Sequence, residues 1–323
     1  DIRIRKGLDI HLEGEADKTT QHQPLSKLYA IKPSDFHRVV PKLILREGNE
    51  VKAGEALFFS KSDERIMFPS PVSGTIKEIV RGERRKVLEI RIEPSAEQTF
   101  KDFGEKKVNE MEGEAIKAHL LSSGAWPFIK QRPYDVIATP DIQPKAIFVS
   151  ACKTNPLAPD YDYVLKGKEK QLQEALTALS KLTSGKVHVS VFKDSSLSPF
   201  RGLKNIEVHN VSGPHPAGNV STQIAHISPI NKGEVVWVVT PQDLVVIGEL
   251  FLTGKLNITR TVALTGANMN KPHYVTALAG AQISGVIDGG VKDAANTRII
   301  SGDVLTGEKV GETGFLGFYA DQI

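Results

Sequence analysis

Lys145-Ala146-Ile147-Phe148-Val149-Ser150 is a continuous apolar run of strand length, suited to a strand buried on both faces. Beyond it, strands alternate with helices. Leu165 to Leu182 carries Leu172, Leu176, Leu179 and Leu182 on one stripe, which predicts an amphipathic helix stopped by Gly185. Lys186–Phe192, Ile206–His209 and Glu234–Val239 read as further strands. Pro241 opens a helix through Leu244–Leu252, and Ile258–Leu264 reads as one more strand of the same set. Repeated strand–helix–strand units predict a mostly parallel sheet with helices on both faces.

Upstream, the pattern is different. From Val39 to Ile92 short alternating segments (Leu43–Leu45, Ala56–Phe59, Arg65–Phe68, Thr75–Ile79, Val87–Ile92) are separated by Gly-containing turns, the signature of a small all-β module. Between them and the sheet, Glu112–Leu121 has helical spacing with Gly124 as its stop, and residues 124–134 read as a loop rich in aromatics and proline. Downstream of Gly266, glycines crowd the chain (280, 285, 289, 290, 302, 307, 311, 314 and 317), and Asn268–Tyr319 reads as a small α+β unit. The expected division is therefore an extended segment over 1–38, a β barrel over 39–93, an α/β domain over 94–266 and a last small domain over 267–323.

Composition excludes several classes of function. The 323 residues hold 41 basic and 38 acidic side chains for a formal charge of +3, a balance that argues against a nucleic-acid binder. The single cysteine, Cys152, excludes internal disulfides, four-cysteine zinc and cysteine-ligated iron–sulfur clusters. No apolar stretch comes after the basic start of the chain, so no signal peptide is expected. Val208–Asn231 lacks charged residues but is broken by histidines and prolines, a loop-rich segment rather than a membrane helix.

The β module resembles the biotinyl/lipoyl fold through Glu50-Val51-Lys52-Ala53-Gly54-Glu55-Ala56-Leu57 and Phe68-Pro69-Ser70-Pro71-Val72-Ser73-Gly74-Thr75-Ile76. A carrier needs a lysine at the hairpin tip. Counting back from Pro69 places Asp63 there and Lys61 two residues away, so a structural barrel is expected. The loop Gly124-Ala125-Trp126-Pro127-Phe128 stands where a glycine loop would cradle a phosphate, yet one glycine remains and Trp126 blocks the place of the anion. Gly213-Pro214-His215-Pro216-Ala217-Gly218 predicts a rigid turn at a strand end, where ligands of open sheets bind. His209, His215 and His226 fit no metal-ligand spacing and have no acid among them, so no metal is expected. Cys152, beside Lys153, has no assignable catalytic partner and reads as structural. No catalytic residue is assigned. Arg81–Lys86 reads as a solvated hairpin.

Taken with Ile4–Ile10, Pro69–Gly74, Gly213–Gly218 and Arg298–Gly307, this order of parts resembles the NqrA family, which belongs to the sodium-pumping NADH:quinone oxidoreductase. The resemblance covers the whole chain. It implies an α/β multidomain protein: a lipoyl-like barrel-sandwich, a Rossmann-like mostly parallel sheet domain and a β-grasp-like (SLBB) domain. It further implies a peripheral subunit on the cytoplasmic face of the cell membrane. That subunit partners the other chains of the complex, a membrane-embedded one above all, and binds no nucleic acid. NADH, flavins and iron–sulfur centres then belong to partner subunits, with no cofactor held tightly here. The layout is also similar to flavin subunits of complex I and the Rnf complex, whose glycine loop and cysteines are missing. The family has been linked to quinone, for which Trp126, Phe128 and His215 are the candidate contacts. It usually continues into a helical C-terminal region. The competing reading is a stand-alone flavin or nicotinamide oxidoreductase working through the sheet domain.

Overall fold

The structure, a computed structural model, describes residues 1–287 and 290–323; Gly289, one of the glycines of the C-terminal cluster, lies outside them. Two compact units are present. The first comprises residues 1–10, 102–155 and 160–256, the second residues 11–101, 156–159 and 257–323.

The first unit is built on a seven-stranded sheet. Its strands are β1 (Ile2–Arg3), β2 (Lys130–Arg132), β3 (Val136–Ile137), β4 (Ile147–Ser150), β5 (Val187–Phe192), β6 (Glu207–Ser212) and β7 (Val236–Val238), in the order β1-β6-β5-β4-β7-β2-β3. The five strands from β1 to β7 in that order are parallel, and β2 and β3 add an antiparallel edge. Ile147, Phe148 and Val149 are all buried, as a strand covered on both faces requires. Ala146 and Phe148 pack with Val236, Val238 and Ile224 of helix α4 (Val220–Ile227). The remaining helices are α1 (Gly113–Ser122), α2 (Tyr161–Val164), α3 (Glu169–Ser180) and α5 (Pro241–Thr253). At the α3–α5 contact a Cβ on Gly248 would stand 1.9 Å from the Gln171 carbonyl oxygen. Only glycine permits that approach.

Several expectations are corrected here. The helix expected over 165–182 is shorter, α3 alone, because the chain turns before it with Gly167 at φ +78°, and α2 ends upstream at Val164. The 124–134 loop contains strand β2, whose hydrogen bonds to β7 and β3 satisfy that backbone. Thr259–Leu264 does not join the parallel sheet. It pairs antiparallel with His273–Leu278, which pairs in parallel with Asp17–His22 in the second unit. The boundary expected at 266 accordingly falls at 256/257, and residues 1–38 are not one extended segment: 1–10 belong to the first unit and 11–38 to the second. Val208–Asn231 is most of β6, a loop, α4 and the residues that follow it.

The second unit contains the β module. Four strands (Tyr29–Ile31, Val87–Pro94, Gly74–Arg81, Glu50–Val51) face three (Pro41–Leu43, Ala56–Ser60, Asp63–Pro69). Phe58 and Phe68 stack at 4.5 Å in its core, with Phe36 4.4 Å from Phe68. The hairpin tip differs from the one that counting back from Pro69 places. Lys61 and Ser62 form the exposed turn, while Asp63 begins the next strand and is gripped by Arg65 (Nη2 to Oδ2, 2.7 Å). The lysine therefore stands on the tip itself. Asp63 gives no ground for expecting an unmodified barrel. A short hairpin, Ile299–Ser301 with Glu308–Val310, completes the unit.

Candidate functional site

In an open parallel sheet the ligand crevice lies beyond the carboxyl ends of the strands where their order reverses. Here that point lies between β4 and β7. Strand β4 runs on into Ala151-Cys152-Lys153-Thr154-Asn155, and the 213–218 loop arches onto this segment from β6. The Gly218 amide donates to Thr154 Oγ1 at 2.9 Å, and Ser150 Oγ donates to the Gly218 carbonyl at 2.9 Å. Thr154 Oγ1 is also 3.0 Å from His215 Nδ1. Gln223 Nε2 reaches Ser150 Oγ (2.9 Å), the Ala217 carbonyl (3.1 Å) and Cys152 Sγ (3.2 Å).

The glycines of this loop are explained by close approach. A Cβ on Gly218 would meet the Cys152 carbonyl oxygen at 2.5 Å, and one on Gly213 (φ +119°) the Ile4 carbonyl oxygen at 2.1 Å. The N-terminal segment fastens the other side. Leu8 N donates to the His215 carbonyl, and Asp9 Oδ1 accepts from His215 N. The loop expected from Gly213-Pro214-His215-Pro216-Ala217-Gly218 is rigid, and its neighbours are this chain's own backbone.

Helix ends near the crevice carry acids. Thr240 caps α5 and its hydroxyl donates to Asp243 Oδ2 at 2.6 Å, with Asp243 buried in the first turn. Asp160 caps α2, accepting from Asp162 N at 2.8 Å. A nucleotide phosphate needs these positive helix ends for itself. The Asp160 carboxylate already takes two amides of α2, and the Thr240 hydroxyl takes one of α5.

The 124–128 segment has a different geometry from a phosphate loop. Gly124 lies just past the C-terminus of α1 at φ +75° and donates to the Leu121 carbonyl, so carbonyls rather than amides point into this region. Trp126 and Phe128 have no exposed surface. Trp126 Nε1 donates to the Ala138 carbonyl at 2.7 Å, and its ring meets Trp237 edge-on at 5.4 Å. Neither ring presents a face to a ligand. Both loops do reach the carboxyl edge of the sheet, since β2 begins opposite Val238 at the end of β7. However, β2 and β6 stand four places apart, about 19 Å at the usual strand spacing of about 4.8 Å. The three quinone candidates are not brought into one cradle.

Cys152 is fully buried, and burial pushes its thiol up to about 11. At pH 8 about one thiol in a thousand is then ionised. The native protein is expected to resist iodoacetamide at pH 8 and to take one label once unfolded. Labelling of the folded protein at the rate of a small thiol would contradict this assignment. Nor do the three histidines weighed for a metal gather: His226 donates to the Thr222 carbonyl of its own helix, His215 pairs with Thr154, and His209 meets His188.

Comparison with known proteins matches three successive segments of the chain to one family. Residues 2–95 match the NqrA N-terminal barrel-sandwich hybrid domain, 111–256 the NqrA second alpha/beta domain and 261–312 the NQRA C-terminal domain. The NqrA chain of the Na(+)-translocating NADH-quinone reductase of Neisseria meningitidis serogroup A is 36% identical over the whole of this chain, which covers 72% of that protein. The corresponding chain of Yersinia pseudotuberculosis serotype O:1b has the same identity and coverage. Among solved structures, an air-oxidised NAD+-reducing [NiFe]-hydrogenase aligns with a TM-score of 0.43 at 12% identity, over 69% of this chain and 50% of that one. With three domains matched in order and more than a third of residues shared along its full length, the chain belongs to the NqrA family of the Na(+)-translocating NADH-quinone reductase.

Proposed function

We propose that this chain serves as the peripheral NqrA subunit of a membrane-bound reductase that passes electrons from NADH to quinone and exports sodium. The identity of 36% across the whole chain carries the proposal. No helix among the described residues is long and apolar enough to cross a membrane. In this reading the chain is held by a membrane-embedded partner, on the cytoplasmic face where NADH is available. The subunit works without a redox cofactor of its own. The order of its parallel strands, third-second-first-fourth along β6-β5-β4-β7, supports a Rossmann-like reading. The acids at the helix ends and the core position of Trp126 support a sheet that no longer holds a nucleotide or flavin. NADH, flavin and iron–sulfur chemistry then belongs to the partner chains, and quinone meets the complex rather than an aromatic cradle on this sheet.

Two measurements test this. Deleting the chain in its host should abolish sodium-dependent NADH:quinone reduction by membranes, and its return should restore both activity and membrane attachment. Unchanged activity would overturn the role. Acid extraction of the native chain should release no stoichiometric flavin and no iron; near-equimolar amounts of either would overturn the cofactor-free reading and favour a self-sufficient oxidoreductase.

A further inference from the structure

The two-residue alternation of adjacent parallel strands sets three potential metal ligands on one face of the first unit's sheet. His188 of β5 stands in register with Glu207 of β6, and Ser190 with His209. Residues 207 and 209 share a face, and the His188 and His209 rings meet on it with Nδ1 of the former 3.0 Å from Nε2 of the latter. Glu207 Oε1 lies 3.9 Å from that same Nε2, and one ligand atom from each of the three falls within 4.8 Å of the others. The cluster sits near the amino ends of its strands. His188 is four residues from Phe192, where β5 ends, about 13 Å from the carboxyl edge at about 3.3 Å per residue.

We propose that His188, Glu207 and His209 form a binding site for a single transition-metal dication of the Zn2+ class. Two nitrogens bound at about 2.0–2.1 Å to a tetrahedral ion stand about 3.3 Å apart, so the imidazole pair needs a small spreading and a tilt of both rings that turns the facing nitrogens from each other onto the ion. Glu207 needs a slight rotation. The protonation states suit the task. Burial, then the neighbouring imidazole, lowers His188 to about 4, and burial lowers His209. Both rings are therefore neutral at pH 7, as metal ligands must be. The hydrogen bond from Lys186 Nζ (2.6 Å to Oε2) holds Glu207 ionised and leaves Oε1 turned toward the histidines.

Binding requires no net proton release. In the free pair one ring donates its N–H to the other. With the ion present both facing nitrogens supply lone pairs, and the donating ring carries its proton on the other nitrogen instead. Water completes the coordination. Two imidazoles and one carboxylate favour zinc, cobalt, nickel or copper over magnesium and calcium, which take oxygen ligands. The Phe148 ring, 4.9 Å from His188, fixes that imidazole from the adjacent strand. His209 and Glu207 are partly exposed, which gives the ion an aqueous route.

The test uses the full chain, freed of metal by chelation and titrated with cobalt(II). The expected result is the visible absorption of tetrahedral cobalt saturating at about one equivalent, lost on adding Zn2+. His209→Gln and Glu207→Gln, at partly exposed positions, should each weaken cobalt binding by about tenfold or more. Their metal-free melting temperatures show that the variants are folded. Should His188→Asn fail to fold, these two decide the matter. His22→Ala and His273→Ala, in the second unit, should leave the spectrum unchanged. No cobalt spectrum at about millimolar metal, or a spectrum that survives in folded His209→Gln and Glu207→Gln chains, would overturn the site. The imidazole pair would then be only a hydrogen-bonded filler of the sheet face.

Discussion

Trp126→Ala is expected to lower folding stability by about 3–5 kcal/mol, a large share of the roughly 5–15 kcal/mol that holds an ordinary domain together. The indole is wholly buried, makes an edge-on contact with Trp237 and satisfies the Ala138 carbonyl. Truncation removes all three at once, leaving a cavity and a buried acceptor without its donor. Chemical denaturation of the isolated chain reads the loss directly. Trp126→Phe should recover part of it, because volume returns while the hydrogen bond does not. Quinone affinity of the assembled complex supplies the second readout. A near-normal stability with markedly weaker quinone binding would overturn the assignment of this ring to the core and restore it as a ligand platform.

Lys32→Met should cost a comparable amount, about 3–5 kcal/mol, because it leaves one half of a buried ion pair behind. Lys32 is buried in the second unit, where its ammonium lies 3.7 Å from Asp35 and also holds the exposed carboxylate of Glu308. Asp35 accepts in addition from Phe318 N at 2.9 Å. Burial raises the Asp35 carboxyl above its ordinary range, against the pull of Lys32. Removing that pull raises it further. A carboxyl whose folded value exceeds its unfolded one favours folding when protonated, and that contribution is lost as pH rises through the folded value. The deficit of the variant should therefore narrow on acidification below neutrality and widen toward pH 7. A deficit independent of pH, or one below about 1 kcal/mol, would show that Asp35 does not depend on Lys32.

Much of the fold was legible because its signals are local. The apolar run at Ile147–Ser150, the Pro241 start of α5 and the turn-punctuated barrel each needed only a few neighbouring residues. Partnership was less legible. Thr259–Leu264 has the apolar content of a buried strand in either sheet, and nothing within the run tells that its partner is His273–Leu278. The hairpin tip was misplaced because register shifts between Phe59 and Ser60 defeat a count backward from Pro69. The leucine stripe of 165–182 carries no mark of its true start, which falls at Glu169 after a turn with Gly167 at φ +78°.

The candidate sites divide along the same line. The stiffness of Gly213–Gly218 could be read from its prolines, whereas its dependence on Gly7 and Asp9, some two hundred residues earlier, could not. His188 and His209 lie 21 residues apart on different strands, a separation that matches no ligand spacing. Their meeting arises from parallel pairing. Histidines two residues out of register on two predicted parallel neighbours, and so on one face, are the signal that would have found them.

The short strand β1 has a consequence for how the chain is made. Ile2 and Arg3 pair with Val211 and Ser212, while Asp17–His22 waits for His273–Leu278. During synthesis these early strands must stay unpaired until most of the polypeptide has left the ribosome. Such distant pairing slows folding and leaves nascent edge strands open to wrong partners. Cutting the gene at the end of the barrel would not liberate an intact downstream α/β piece, because it would strip that piece of its outermost strand and of the Leu8 and Asp9 contacts that tie down His215. An expression strategy that respects the molecule keeps residues 1–10 and 102–256 on one transcript, or joins the two by circular permutation.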